Sequence, residues 1–256
     1  MSERAANSEF VQSLERGLAV IQAFGPNNPE MTISEVAEVT GTTRATARRF
    51  LLTLEQLGHI RNDGRKFSLT PHVLGLGYAY LSSLNWWQIA QPAMEDVVQE
   101  LQESSSAAVL DGKDVIYVAR VSATRIMSIN LSIGTRLPAH VTSLGRVLLS
   151  HQPPDVLDEY LAGIVPNKFT DRTKTEISAL RESIETARLK GYALVDQELE
   201  TGLRSLAVPI YDRNGHILAA LNVGTHAARS RLDEMTTRFL TVLLDASRKI
   251  TAQLPN

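Results

Sequence analysis

Residues 32–57, TISEVAEVTGTTRATARRFLLTLEQL, constrain this chain more than any other stretch. Thr32 and Glu35 stand at the spacing of a capping box, in which each side chain satisfies the other's backbone N–H at a helix start. Gly41 follows Val39, the last apolar residue, and supplies the left-handed backbone at which helices commonly stop. Thr42 or Thr43 then caps a second helix. In that helix Ala47, Phe50, Leu51, Leu54 and Leu57 recur at helical spacing and predict an inward stripe, with Arg44, Arg48 and Arg49 pointing elsewhere. A short helix, a turn at glycine and an arginine-bearing second helix make the helix-turn-helix pattern, whose second helix fits the DNA major groove. The competing reading is an ordinary helical hairpin with a solvated basic face.

The flanks favour the first reading. Phe10–Phe24 holds Leu14, Leu18 and Ile21 at spacings that predict an amphipathic helix, and GPNNPE (25–30) is a dense turn signal. Downstream, HIRNDGRKFSLT (59–70) sets two short runs around Asp63-Gly64, a hairpin signal, with Arg65 and Lys66 on the returning arm. Three helices and a basic hairpin form a winged helix-turn-helix over residues 10–70. The whole chain is not basic: its formal net charge is −2 and its pI about 6.3. Between Thr42 and Lys66, however, Arg44, Arg48, Arg49, Arg61, Arg65 and Lys66 face only Glu55 and Asp63, a local excess of four positive charges. That is the footprint DNA binding needs. Arg44, Ala45, Thr46 and Arg48 lead the second helix and are assigned to base edges, because arginine forks onto guanine while alanine and the threonine methyl meet thymine. Arg49, Arg65 and Lys66 are assigned to phosphates, and Thr43 completes the DNA-facing set.

Pro71–Leu84, PHVLGLGYAYLSSL, is apolar, uncharged and rich in small residues, and predicts a linker helix over 71–85. Gly75, Gly77, Ala79 and Ser82-Ser83 would allow close helix approach. Trp86 and Trp87 are read as packing residues. A second domain, 86–256, follows. Its pattern predicts a helix over Pro92–Glu103, strands at Ala107–Leu110, Val115–Val121 and Ile126–Leu131, a loop at Gly134–His140, and a short helix to Ser150. It continues with a helix over Thr175–Lys190 stopped at Gly191, strands at Tyr192–Val195, Ser205–Tyr211 and Ile217–Val223, and a long helix over Leu232–Leu254. Helices at both ends of a run of strands indicate an α+β fold with an antiparallel sheet. A chain of 256 residues with 43% hydrophobic content suffices for two packed domains.

Several classes are set aside. The chain has no cysteine, which excludes disulfides, thiolate catalysis and cysteine zinc sites. Its six histidines are scattered without metal-ligand spacing, no G-x-S-x-G occurs, and Gly75 and Gly77 follow no strand, so we expect no metal, no cofactor and no enzyme. Asp196, Glu198 and Glu200 form an acidic cluster that reads as a loop or solvated strand edge rather than a catalytic pair. The N-terminus lacks the apolar core of a signal peptide and no run is long enough to span a membrane, so the expectation is a cytoplasmic protein with no membrane contact. A winged-helix protein-interaction module stays open as an alternative.

GTRLPAHVTSLGRVLLS (134–150), RLKGYALVDQELETGLRSLAVPIYDRNG (188–215) and AALNVGTH (219–226), together with the winged-helix order, resemble the IclR family of bacterial transcription regulators. SSSAAVLDG, IYVARV, RIMSINLSIGTRLPA, TSLGRVLL and GYALVDQELETGLRSLAVP resemble its PcaR/PobR-type branch, which serves protocatechuate and β-ketoadipate pathways. The resemblance implies a GAF-like effector domain with an antiparallel sheet, binding to a pseudo-palindromic operator in double-stranded DNA, a homodimer formed through the N-terminal region or a dimer of dimers, and contact with RNA polymerase. It implies a small organic acid as effector, of protocatechuate, 4-hydroxybenzoate or β-ketoadipate type, a sensor of an unrelated metabolite being the alternative. Matching blocks carries the effector pocket onto Ile126, Ile129, Leu137, Ser143, Leu144, Leu203, Ser205, Asn222 and Gly224. Where a member binding a small oxo-acid has an acidic residue, this chain has Val195, with Asp196 beside it. An anionic effector needs a cation or hydrogen-bond donor in an apolar cavity. Arg120, Arg125, Arg136, His140 and Arg204 are the nearby candidates, Arg204 being read as structural through Glu198 and Glu200, and Ser143, Ser205 and Asn222 as polar contacts.

Overall fold

The computed structural model describes residues 9–83, 86–123 and 131–254 and divides into two units, residues 1–83 and 84–256. In the first, α1 (Gln12–Gln22), α2 (Ile33–Val39) and α3 (Arg44–Gln56) precede a hairpin of β1 (Ile60–Asn62) and β2 (Phe67–Leu69). This is a winged helix-turn-helix. Both limbs of the Thr32/Glu35 capping box form, Gly41 takes a φ of +62°, and Thr43 rather than Thr42 caps α3. Val20, Phe24, Met31, Val36, Ala37, Ala47, Leu51, Leu54, Ile60 and Phe67 make the core. Two expectations change. Leu57 lies past the end of α3 and is 60% exposed, and Leu14 and Leu18 face outward while Val20 of α1 and Phe24 just beyond it fill the core. Met31 and Phe67 exchange backbone hydrogen bonds, which ties the hairpin to the start of α2. After a 3-10 turn, Pro71–Val73, α4 (Leu74–Ser83) ends the unit with Leu74, Leu76, Tyr78 and Tyr80 exposed. Among the described residues, nothing beyond their own helix backbone and chain neighbours lies within 4 Å of the side chain that Gly75 or Gly77 would carry.

The second unit begins with α5 (Trp86–Leu101), which starts earlier than its sequence pattern suggests and contains Pro92. Strands β3 (Ser104–Asp111), β4 (Asp114–Val121), β5 (Arg136–Pro138), β6 (Ala193–Asp196), β7 (Leu203–Tyr211) and β8 (Ile217–His226) form an antiparallel sheet in the order β5-β4-β3-β8-β7-β6. Gly134–His140 is therefore not all loop: Arg136–Pro138 pairs with β4 as an edge strand, where proline at its end costs no ladder bond. The strand expected at 126–131 lies outside the described residues apart from Leu131. Helices α6 (Ser143–Ser150), α7 (Pro154–Gly163) and α8 (Ile177–Lys190) bury Leu144, Val147, Leu148, Leu157, Leu161, Leu180 and Ile184 against one face of the sheet. Gly191 ends α8 with a φ of +72°. α9 (Leu232–Glu234) passes through a π turn at Met235–Phe239 into α10 (Leu240–Gln253), which packs with α5 on the opposite face. No helix of the described residues is long and apolar enough to cross a membrane.

Candidate functional site

In the first unit the sequence-assigned residues gather around α3 and the hairpin. Thr43 Oγ1 accepts the Thr46 N–H at 3.1 Å and donates to Thr46 Oγ1 at 2.9 Å, so its side chain is engaged in starting the helix. Arg44, Ala45, Arg48 and Arg49 are exposed, and Thr46 is half-buried on the flank toward α1. Arg65 and Lys66 sit in the turn itself rather than on the returning arm, because β2 begins only at Phe67. Asp63 Oδ1 accepts both their backbone N–H groups, at 2.9 and 2.7 Å, which fixes the turn and holds the Asp63 carboxyl below its usual range. Among the described residues no carboxylate pairs with Arg44, Arg48, Arg49, Arg65 or Lys66, whereas most arginines of the second unit are paired.

The second unit carries a recess of about 530 Å³, mouth included. Its floor is the sheet. One row of paired residues runs Arg120–Ser106–Asn222–Ala207–Ala193, and the next runs Ser104–Gly224–Ser205–Val195. Small side chains in both rows leave the hollow. Tyr117 and Arg120 would point to opposite faces of a regular strand. The register shift between Ala107 and Ala108 inserts one residue in β4 and brings both to the same side. Val141 and Thr142 at the start of α6, with Leu131, Leu199, Leu203 and Val195, supply the rest of the lining. Arg120 Nη1 donates to Ser106 Oγ at 3.0 Å, and no carboxylate pairs with the guanidinium among the described residues. Burial draws its pKa down. Burial also pushes the Tyr117 hydroxyl up to about 12, leaving it a neutral donor.

Of the sequence-assigned effector positions, Leu203, Ser205, Asn222 and Gly224 line this recess. Leu144 is in the core on the α6 side of the sheet, Leu137 packs on that core from β5, and Ser143 is fully buried with its Oγ unpartnered among the described residues. Ile126, Ile129 and Arg125 lie outside the described residues. The other arginine candidates are engaged: Arg136 with Asp111 and Asp114, and Arg204 with Asp196 at 2.5 Å and with the Ala227 and Ser230 carbonyls. His140 is buried outside the recess lining, its Nε2 without a partner among the described residues. Arg204 is structural, but through Asp196 rather than Glu198 or Glu200. Burial opposes the Asp196 charge, yet hydrogen bonds from Arg204 and Gln197 outweigh it and hold the carboxyl below its usual range.

Glu198 is no solvated edge. It meets Arg146 of α6 through two hydrogen bonds of 2.7 and 2.6 Å, with the side chains only 2% and 6% exposed. Arg146 Nε also donates to the His140 carbonyl, and Thr173 Oγ1 and the Lys174 N–H donate to Glu198. This network fixes the loop bearing Leu199 against the start of α6, so it sets two walls of the recess. Sequence reading passed over Arg146; an arginine inside the apolar run LGRVLLS was the available signal.

Residues 13–64 match the IclR helix-turn-helix domain, and residues 78–252 match the bacterial transcriptional regulator IclR C-terminal family. The Pca regulon regulatory protein of Pseudomonas putida is 47% identical over 248 residues, 96% of this chain and 85% of that protein. The p-hydroxybenzoate hydroxylase transcriptional activator of Acinetobacter baylyi is 32% identical over 97% of this chain and 94% of its own length. A crystal structure of an IclR homolog complexed with 4-hydroxybenzoate, from Microbacterium hydrocarbonoxydans, superposes with a TM-score of 0.83 at 26% identity, covering 94% of this chain and 98% of that one.

Proposed function

The chain belongs to the IclR family of bacterial transcriptional regulators, and we propose that it regulates transcription in response to a small aromatic acid held over Arg120. One observation carries the reading: the lining of the recess includes a half-buried arginine and no carboxylate among the described residues. An entering carboxylate would form a charge-assisted pair there, which is stronger than a neutral hydrogen bond. Val141, Val195, Leu199 and Leu203 suit an aromatic ring, and Ser205 and Asn222 suit a polar substituent at its far end. The relatives named for Pca and p-hydroxybenzoate functions, and the homolog holding 4-hydroxybenzoate, support the same class.

DNA is read by α3, with Arg44, Ala45, Thr46 and Arg48 at base edges and Arg49, Arg65 and Lys66 at phosphates. A homodimer presents two such heads to a pseudo-palindrome, half-site spacing following protein symmetry. The exposed apolar faces of α1 and α4 support self-association. Effector binding shifts the population of DNA-competent arrangements, which requires different affinity for the two states.

A thermal-melt screen with 4-hydroxybenzoate, protocatechuate, β-ketoadipate and an unrelated sugar acid tests the effector class. An effector at 100 times its Kd stabilises by about 2.7 kcal/mol. A shift with the sugar acid alone would make this chain a sensor of another metabolite. Salt-dependent retardation of operator DNA tests the other half: binding indifferent to salt, or absent, favours a protein-interaction module.

A further inference from the structure

A second concave feature lies in the DNA-binding unit, between α1 and α3. The recess is about 650 Å³, mouth included, and its lining includes Ser13, Arg16, Thr46, Arg49, Phe50 and Thr53 but no aspartate or glutamate. Two arginines from different helices thus share one hollow, and among the described residues neither has an ion-pair partner. The helices meet where Gly17 of α1 faces the Phe50 ring of α3, at a spacing that would leave a methyl group there in ordinary contact at 3.7 Å. Thr46 adds a donor. Thr46 Oγ1 accepts from Thr43 Oγ1, which leaves the Thr46 proton free to face outward. Thr53 Oγ1 is turned back onto the Arg49 carbonyl, which leaves the Arg49 guanidinium as the charged group of that turn.

Two arginines lining one recess that holds no carboxylate favour an anion there, and arginine's planar fork matches the oxygens of a phosphate. The recess opens on the flank of the helix that carries the base-edge residues. We infer that it seats one backbone phosphate beside the operator's major groove, held by Arg16 and Arg49 with Thr46 as an added donor. This rests on the DNA-binding reading, and it moves Thr46 from a base edge to the backbone and adds Arg16.

The test uses the full chain and a duplex that the wild-type protein selects from a random-sequence pool. Arg16→Gln should weaken binding severalfold on the selected duplex and equally on a scrambled one. The slope of log K against log salt should fall, by up to roughly 1.8, about 0.9 for the one phosphate of each half-site. Arg16→Lys should restore most of that slope. Neutral methylphosphonates placed singly along the duplex should reveal one position per half-site that weakens the wild type more than Arg16→Gln, in which Arg49 alone still holds that phosphate. Arg49→Gln should show the same reduced sensitivity at the same position, which keeps the test open should one variant fold poorly. An unchanged slope in Arg16→Gln, or no position at which both variants are less sensitive than the wild type, overturns the inference while DNA binding stands. If the wild type selects no duplex, the DNA-binding reading falls with it.

Discussion

Arg120 is half-buried with its pKa drawn down by desolvation, so an adjacent carboxylate recovers electrostatic energy that the ligand-free protein forgoes. Arg120→Gln should therefore abolish the melting-temperature rise caused by 4-hydroxybenzoate while the ligand-free protein melts no lower than the wild type. An equal rise in both proteins would remove Arg120 from the site. The Arg146–Glu198 pair makes the opposite kind of contribution, being wholly buried and fully partnered. Removing one partner strands a charge, so Glu198→Gln should cost about 3–5 kcal/mol in urea unfolding, and replacing both residues with apolar ones much less. His140 gives a pH signature. Burial, reinforced by the Arg146 charge, holds its pKa below 6.5, so the folded protein binds fewer protons than the unfolded chain as pH falls through that value. Stability is then full above pH 6.5 and declines below it; His140→Gln should flatten the decline between pH 7 and 5.5, and an unaltered profile would assign it to other groups. Sequence reading could name Arg120 and His140 as candidates because residue type is local information. It could not choose Arg120, since that depends on one inserted residue in β4, nor find Glu198's partner, which lies 52 residues away.

Among elements, those announced within four or five residues were legible. The capping box at Thr32/Glu35, the stops at Gly41 and Gly191 and the turn at Asp63-Gly64 all form where the sequence puts them. β5 was not legible, since a three-residue strand exists only through pairing with β4. α7 left a signal that went unread: proline at the first helical turn, then Leu157, Tyr160 and Leu161 at helical spacing. α6 shows what the sequence conceals about packing. All eight of its residues are buried, and a methyl group on Gly145 would stand 2.1 Å from the Ala139 carbonyl oxygen. Backbone, not a pliable side chain, is the obstacle. Gly145→Ala must push α6 away from the Ala139–Val141 turn and with it Thr142, a recess wall. The expected outcome is a loss of about 1–3 kcal/mol or more, with weaker 4-hydroxybenzoate binding, although alanine is the better helix former. A variant as stable as the wild type, with unchanged affinity, would show that the turn yields freely.

At the scale of the molecule, the proposed regulator must link two binding events in different parts of one chain. The physics constrains that link without any picture of its path. If 4-hydroxybenzoate changes operator affinity by some factor, the operator must change 4-hydroxybenzoate affinity by the same factor, because both paths close one thermodynamic cycle. Couplings of this kind typically span about 5- to 150-fold. Titrating the acid into the full chain with and without saturating operator duplex, and titrating the duplex with and without the acid, should give equal ratios. Arg120→Gln should reduce both ratios to one at acid concentrations that saturate the wild type, because a ligand that does not bind shifts no equilibrium. Arg16→Gln and Arg44→Ala should weaken the duplex yet leave the ratio intact, since they change contact with DNA rather than the preference of the acid for one state. Unequal ratios would indicate a third participant, such as a change in association between copies, and repeating the titrations at several protein concentrations would reveal it as a ratio that depends on concentration.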